Sequence, residues 1–257
     1  MDKILTFNGK IATGGGRWIT RAGSTPNPYN PYNLAPRTVR FQFPDGAVLP
    51  SPAYGEVWTQ VDTENNIWDV YAPESEISMG GYPENTDILG GNFDSPGFTV
   101  VTVYLGRLRS IQSLYIGSHY SDDGRWKEVF ADTNINTVRN IDFGNATNIH
   151  ALFAGGSSSS LSFIDNLNIP SVTNMSELCN GCTRLTTIPR FFGINGQITD
   201  CNAAFYGCRN IEYGIIQLYE QLTAVREPSN HNVCFRDCGV DSPAGQAELA
   251  QIPSDWK

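Results

Sequence analysis

The chain has 257 residues, 40% hydrophobic and 17% charged, with a formal net charge of -9. That length suits one large domain or two small ones with a real apolar core. An acidic chain without a Lys/Arg run repels a phosphate backbone, which excludes nucleic acid as an expected partner.

Without a stretch of 18 apolar residues the sequence predicts no membrane insertion as a helix. The opening residues lack the long apolar core of a signal peptide. Export by a standard leader is therefore not expected, and release by lysis or assembly into a larger particle is the alternative route. The 25 glycines and 15 prolines favour turns over long helices.

Residues 1–36 read as an extended N-terminal arm. Residues 3–7 suit a short strand, Gly14-Gly15-Gly16 interrupts the chain, and Trp18-Ile19-Thr20 suits a second strand. Pro26-Asn27-Pro28-Tyr29-Asn30-Pro31-Tyr32-Asn33 repeats a Pro-Tyr-Asn unit. Proline there favours extended backbone and prevents regular pairing. Two readings stand: a docking arm that inserts into a neighbour through Tyr29 and Tyr32, or a loop packed on its own domain.

Residues 37–95 read as a β-rich cap. Val39-Arg40-Phe41-Gln42-Phe43 alternates apolar and polar side chains, as a half-buried strand does. Val57-Trp58-Thr59-Gln60-Val61 and Ile67-Trp68-Asp69-Val70-Tyr71 flank a polar turn with Asn65-Asn66, which is a hairpin pattern. Trp58 and Trp68 are read as core of this cap, not as a ligand platform.

Residues 96–257 carry an internal repeat of about 26 residues. Thr147-Asn148-Ile149, Thr173-Asn174-Met175 and Thr199-Asp200-Cys201 begin three aligned copies. Cys234-Phe235 matches Ala204-Phe205 at an offset of 30. Upstream, Val138 to Phe143 takes the place of the segment at 161–164, and residues 108–116 have the spacing of a further rung. One unit cannot bury its own apolar face, whereas stacked units share a core. Each unit is read as a compact helical or looped turn followed by a short strand such as Leu185-Thr186-Thr187-Ile188. Thr173 and Asn174 stand where a helix N-cap belongs, and Gly181 where a left-handed C-terminal residue belongs. Pro170 and Pro189 close two of the strands, where a missing N–H does least harm.

The strings Val172-Thr173-Asn174-Met175-Ser176, Gly181-Cys182-Thr183-Arg184-Leu185-Thr186-Thr187-Ile188-Pro189 and Phe205-Tyr206-Gly207-Cys208 resemble the BspA-like leucine-rich-repeat family over roughly residues 100–240. That resemblance implies an α/β repeat fold, a leucine-rich-repeat solenoid with the β-rich cap and the arm at its N-terminal end. It also implies adhesion or recognition, as in surface proteins of bacteria and in proteins of gut bacteria and their phages. The segments at 4–11, 33–41 and 247–257 look like those of phage and prophage proteins from gut Bacteroidales. They favour a virion protein over a cellular adhesin.

Cys179, Cys182, Cys201 and Cys208 superficially resemble a four-thiolate zinc site. The repeat register gives another account, in which all six cysteines occupy small apolar core slots. A disulfide between neighbouring copies of the Cys182, Cys208 and Cys238 slot stays open on geometry. The three histidines, His119, His150 and His231, show no ligand spacing on a helix. Glu74/Glu76 and Asp122/Asp123 read as solvated loop charge, not as a glycosidase pair. No catalytic residue, metal site or cofactor is expected.

The expected function is thus a non-enzymatic virion-associated protein: a capsid decoration, a head fibre or a tail receptor-binding protein. The alternative is a bacterial surface adhesin or protein-interaction module. Expected partners are other virion proteins through the arm, a host surface protein or glycan through the repeats, and a second copy of the chain. Tyr206 and Tyr213, on the non-core register, are the candidate surface binders, because rigid rings carry interface energy.

Overall fold

A computed structural model describes residues 31–35, 38–49, 52, 56–71, 85–92, 135–144, 146–155 and 160–257, and also the backbone of five short strands. Three of these, β1 (Thr6–Phe7), β2 (Lys10–Ala12) and β3 (Trp18–Thr20), pair antiparallel in one small sheet. The main sheet begins with β4 (Thr38–Gln42), β5 (Val57–Asp62), β6 (Ile67–Tyr71) and β7 (Thr86–Asn92). In β4 the alternation of the sequence becomes geometry: Val39 and Phe41 are fully buried, while Arg40 and Gln42 lie half-buried. β5 and β6 form the hairpin that the sequence implies. Its turn is held by Asp62 Oδ1, which accepts from the backbone N–H groups of Glu64 and Asn65 at 2.9 and 3.1 Å. Asn66 takes the left-handed conformation there, with φ 50°.

The other two short strands, β8 (Tyr104–Leu105) and β9 (Leu114–Tyr115), pair antiparallel with each other. Residues 108–116 were expected to add a further rung, yet their one described strand closes a hairpin. The main sheet continues through β10 (Ile135–Val138), β11 (Ile141–Asp142), β12 (Phe163–Ile164), β13 (Leu167–Asn168) and β14 (Phe191–Phe192). β7 is the hinge of the topology. It runs antiparallel to β4 and parallel to both β10 and β11. The path is β14-β13-β11-β7-β4-β6-β5, with β10 and β12 paired beside it, nine strands in all. β10 meets β12 as Val138↔Ile164, and β11 meets β13 as Ile141↔Leu167. Both offsets are 26 residues (164 − 138 and 167 − 141). The repeat therefore extends upstream with its full period, not the shorter one that Val138 opposite residue 161 would require.

Beyond the strands the chain turns in steps locked to one another. Isolated parallel bridges join Asn148 to Asn174, Asn174 to Asp200 and Asp200 to Asn230. In three steps the Asn or Asp side chain accepts from the N–H two residues on: Asn148 from His150, Asn174 from Ser176 and Asp200 from Asn202, at 2.8–3.0 Å. A left-handed residue follows in every step, at Ala151, Glu177, Ala203 and Val233, with φ between 49° and 55°. That conformation costs a non-glycine residue about 1–2 kcal/mol. What offsets it is the direction it gives the backbone N–H: Ala151 donates to Ser176 O, Glu177 to Asn202 O and Ala203 to Asn232 O, at 2.8–3.0 Å.

These turns overturn the expected α/β leucine-rich-repeat solenoid. The described residues form an open, mixed, mostly β sheet with only two short helices, α1 (Ile215–Thr223) and α2 (Pro243–Leu249). The physical reason lies in the turn, for which the sequence left a helix or a loop open. Asn174 caps Ser176, but the left-handed Glu177 stops an α-helix from propagating. The following N–H groups of Cys179 and Gly181 then bond to Ala204 O and Tyr206 O of the next step, not four residues back.

The core runs along the stack. Ile149, Met175 and Cys201 occupy one buried column, and Leu152, Leu178, Ala204 and Cys234 a second. Phe153, Cys179, Phe205 and Phe235 make a third. At the end of the chain α1 buries Ile215, Leu218 and Leu222. Ser242 caps α2 by accepting from Gly245 N. A 3-10 turn (Ser254–Trp256) then lays the buried Trp256 ring over Phe235, their centroids 6.1 Å apart. Trp256 O accepts from Phe235 N at 2.9 Å, so the last turn supplies the final step of the stack.

Candidate functional site

Because the core columns consume the inward positions, the outward positions of the stack are where side chains vary. Tyr213 sits on one of them. It bridges in parallel to Thr187, its carbonyl accepts from Ile188 N at 2.9 Å, and its side chain is 57% exposed. Tyr206 occupies the position after the left-handed Ala203 and Ala204-Phe205, a slot held by Asn180 one step earlier and by Arg236 one step later. Tyr206 is half-buried and Arg236 exposed. The two tyrosines lie on successive parts of one step, and their carbonyls accept from Gly181 N and Ile188 N of the step before, at 2.8 and 2.9 Å.

Of the two arm residues, Tyr29 lies outside the described residues. Tyr32 is 45% exposed and stands beside the sheet, with the Arg40 guanidinium 4.7 Å from its ring centroid. Arg40 is bound twice by Asp69 across β4 and β6, at 2.6 and 2.9 Å, and that pairing holds its guanidinium still more firmly protonated. A groove of about 430 Å³ opens here between Tyr32, Leu34, Arg40, Asp69 and Tyr71. Leu34 is buried and Asn92 Nδ2 donates to its carbonyl, so this part of the arm packs on the chain's own sheet. Trp58 and Trp68 are partly buried against the core, Trp58 stacked on Phe43 with centroids 6.0 Å apart.

All six cysteines are buried and unbridged. Cys182 and Cys208 donate from Sγ to Phe153 O and Cys179 O, at 3.1 and 3.0 Å, each reaching the step before. Burial pushes the Cys179, Cys208, Cys234 and Cys238 thiols well above the ordinary range. A thiolate is the reactive form, so these buried thiols are expected to react slowly. Titration with an aromatic disulfide reagent should find essentially no fast-reacting thiol in the native chain and six in denaturant. A fast native reaction, or fewer than six on unfolding, contradicts this placement.

His150 is half-buried with Nδ1 2.8 Å from Ser176 Oγ, an inter-step contact. His119, Glu74, Glu76, Asp122 and Asp123 lie outside the described residues. One cluster escaped the sequence reading: His231 faces Glu227 and Asp255. Asp255 is 24 residues away in sequence, and Glu227 and His231 are not on a helix, so no spacing rule reveals the group. Comparison with protein families, curated proteins and solved structures finds no match to this chain.

Proposed function

We propose that this chain is a non-enzymatic, virion-associated protein that presents the outward face of its repeat to a host surface protein or glycan. The carrying observation is the stepwise register at 26, 26 and 30 residues, which keeps the inside apolar and leaves the outside free to change from Thr187 to Tyr213 or from Asn180 to Tyr206 to Arg236. A rigid frame with variable outward positions suits a binding surface. Polar pairs described here brace the fold: Arg40 with Asp69 between β4 and β6, Arg209 with Asp241, and Asn168 with Asp142 between adjacent steps. The net charge of -9 favours a neutral, cationic or polar glycan target.

The assignment to a particle rests on the phage-like segments at 4–11, 33–41 and 247–257 and on the resemblance to BspA-like repeat proteins. In that reading residues 1–36 contact other virion proteins or a second copy. Mass spectrometry of purified virions from the phage whose genome encodes the chain tests it. The chain should be recovered at a fixed copy number per particle. Its absence from virions, with recovery in the bacterial envelope, would sink the virion assignment in favour of an adhesin.

A further inference from the structure

The cluster at the C-terminal end is arranged for a cation. His231 Nδ1 lies 2.9 Å from the Pro228 carbonyl oxygen, which can only accept, so Nδ1 carries a proton. In the neutral ring Nε2 then presents its lone pair. It faces Asp255 Oδ2 at 3.4 Å and Glu227 Oε1 at 3.9 Å, both of them acceptors. A positive charge satisfies this group, carried either by the proton of a charged His231 ring or by a cation seated among the three side chains.

We infer that Glu227, His231 and Asp255 form a binding site for a divalent transition-metal ion such as zinc. Three features carry this beyond a surface ion pair. First, the ligand set is one borderline imidazole and two hard carboxylates, a mixture that zinc takes in sites with positions left for water. Second, the spacing fits: tetrahedral ligands at about 2.1 Å from a metal stand about 3.4 Å apart, and the three ligand atoms lie within 4.8 Å of one another. Third, two of the ligands are already oriented from outside. The Pro228 carbonyl fixes the His231 tautomer, and Trp256 Nε1 donates to Glu227 Oε1 at 3.2 Å. Such outer hydrogen bonds set the direction of metal ligands. The Trp256 ring also stacks on His231, 4.4 Å between centroids and 13° between planes, and holds the imidazole in place. A bound ion ties residue 255 to residues 227 and 231, and so locks the closing turn onto the final step of the stack.

The test is a titration of the full chain with Co²⁺ and with Zn²⁺. One equivalent of Co²⁺ should bind, be displaced by Zn²⁺, give visible bands without the intense near-ultraviolet absorption of cobalt–thiolate, and quench Trp256 fluorescence. Asp255→Asn and Glu227→Gln replace exposed carboxylates by amides of the same shape. Each should weaken binding at least about tenfold while the metal-free melting temperature stays unchanged. His231→Gln should abolish binding. Absence of saturation by about 1 mM free metal, a thiolate spectrum, or unchanged affinity in Asp255→Asn would each overturn the site.

Discussion

Gly245→Ala is expected to destabilise the protein by about 3 kcal/mol, a loss of roughly 6–12 °C in melting temperature for a chain of this size. A Cβ placed there would stand 2.1 Å from Ile211 O and 2.8 Å from Gly239 Cα and O. All of these are backbone atoms, so no side chain can rotate away and α2 must move off the stack. Moving it strains the Ser242 cap and the bond from Ile215 N to Glu248 Oε2, 2.7 Å long, by which α2 holds the start of α1. Gly46→Ala is the matched control. Its Cβ meets nothing within 4 Å, and its cost is the positive φ of 71° alone, about 1–2 kcal/mol. Thermal unfolding followed by circular dichroism separates them. A Gly245→Ala melt within about 2 °C of wild type would mean that α2 does not pack as described.

Trp256→Ala is the second large effect, with an expected loss of about 3–5 kcal/mol. The ring is fully buried and closes the column of Phe205 and Phe235, whose centroids are 6.2 Å apart. It also takes the edge of Tyr219 at 5.1 Å. Alanine leaves the end of the core open, because the segment at 253–257 carries the last backbone bond to Phe235. Trp256→Phe should retain most of the packing, losing the indole donor to Glu227 and part of the contact area. Denaturant unfolding of the three proteins orders them wild type, Phe, Ala. Equal stability of the Ala variant and wild type contradicts the closing role.

The register of the repeat was legible because core slots repeat chemically: Ile149, Met175 and Cys201 share one column even though their side chains differ. The six cysteines were placed by the same logic, and burial follows from it. The conformation between those slots was not legible. Asn174 looks like a helix cap from sequence, and what it caps is a single tight turn, because the left-handed φ at Glu177 carries no residue-type signature. The alternation at 39–43 and the hairpin pattern at 57–71 marked β4, β5 and β6, but β7 was not singled out, and its pairing with β10 and β11 depends on contacts 50 or so residues apart. The Glu227–His231–Asp255 cluster was hidden for a similar reason. It exists only once the chain end folds back over Phe235. Tyr213 could be marked as non-core from register alone, though its position on a backbone bridge required the structure.

Recognition by the outward face is the central claim, and equilibrium binding of the purified, labelled full chain to intact host cells tests it most directly. Wild type should bind saturably and be displaced by unlabelled chain. The Tyr206→Ala/Tyr213→Ala double variant should lose about 2 kcal/mol or more of affinity, near thirtyfold, with its melting temperature little changed. Absence of saturable binding, or a double variant that binds as well as wild type, would contradict the account.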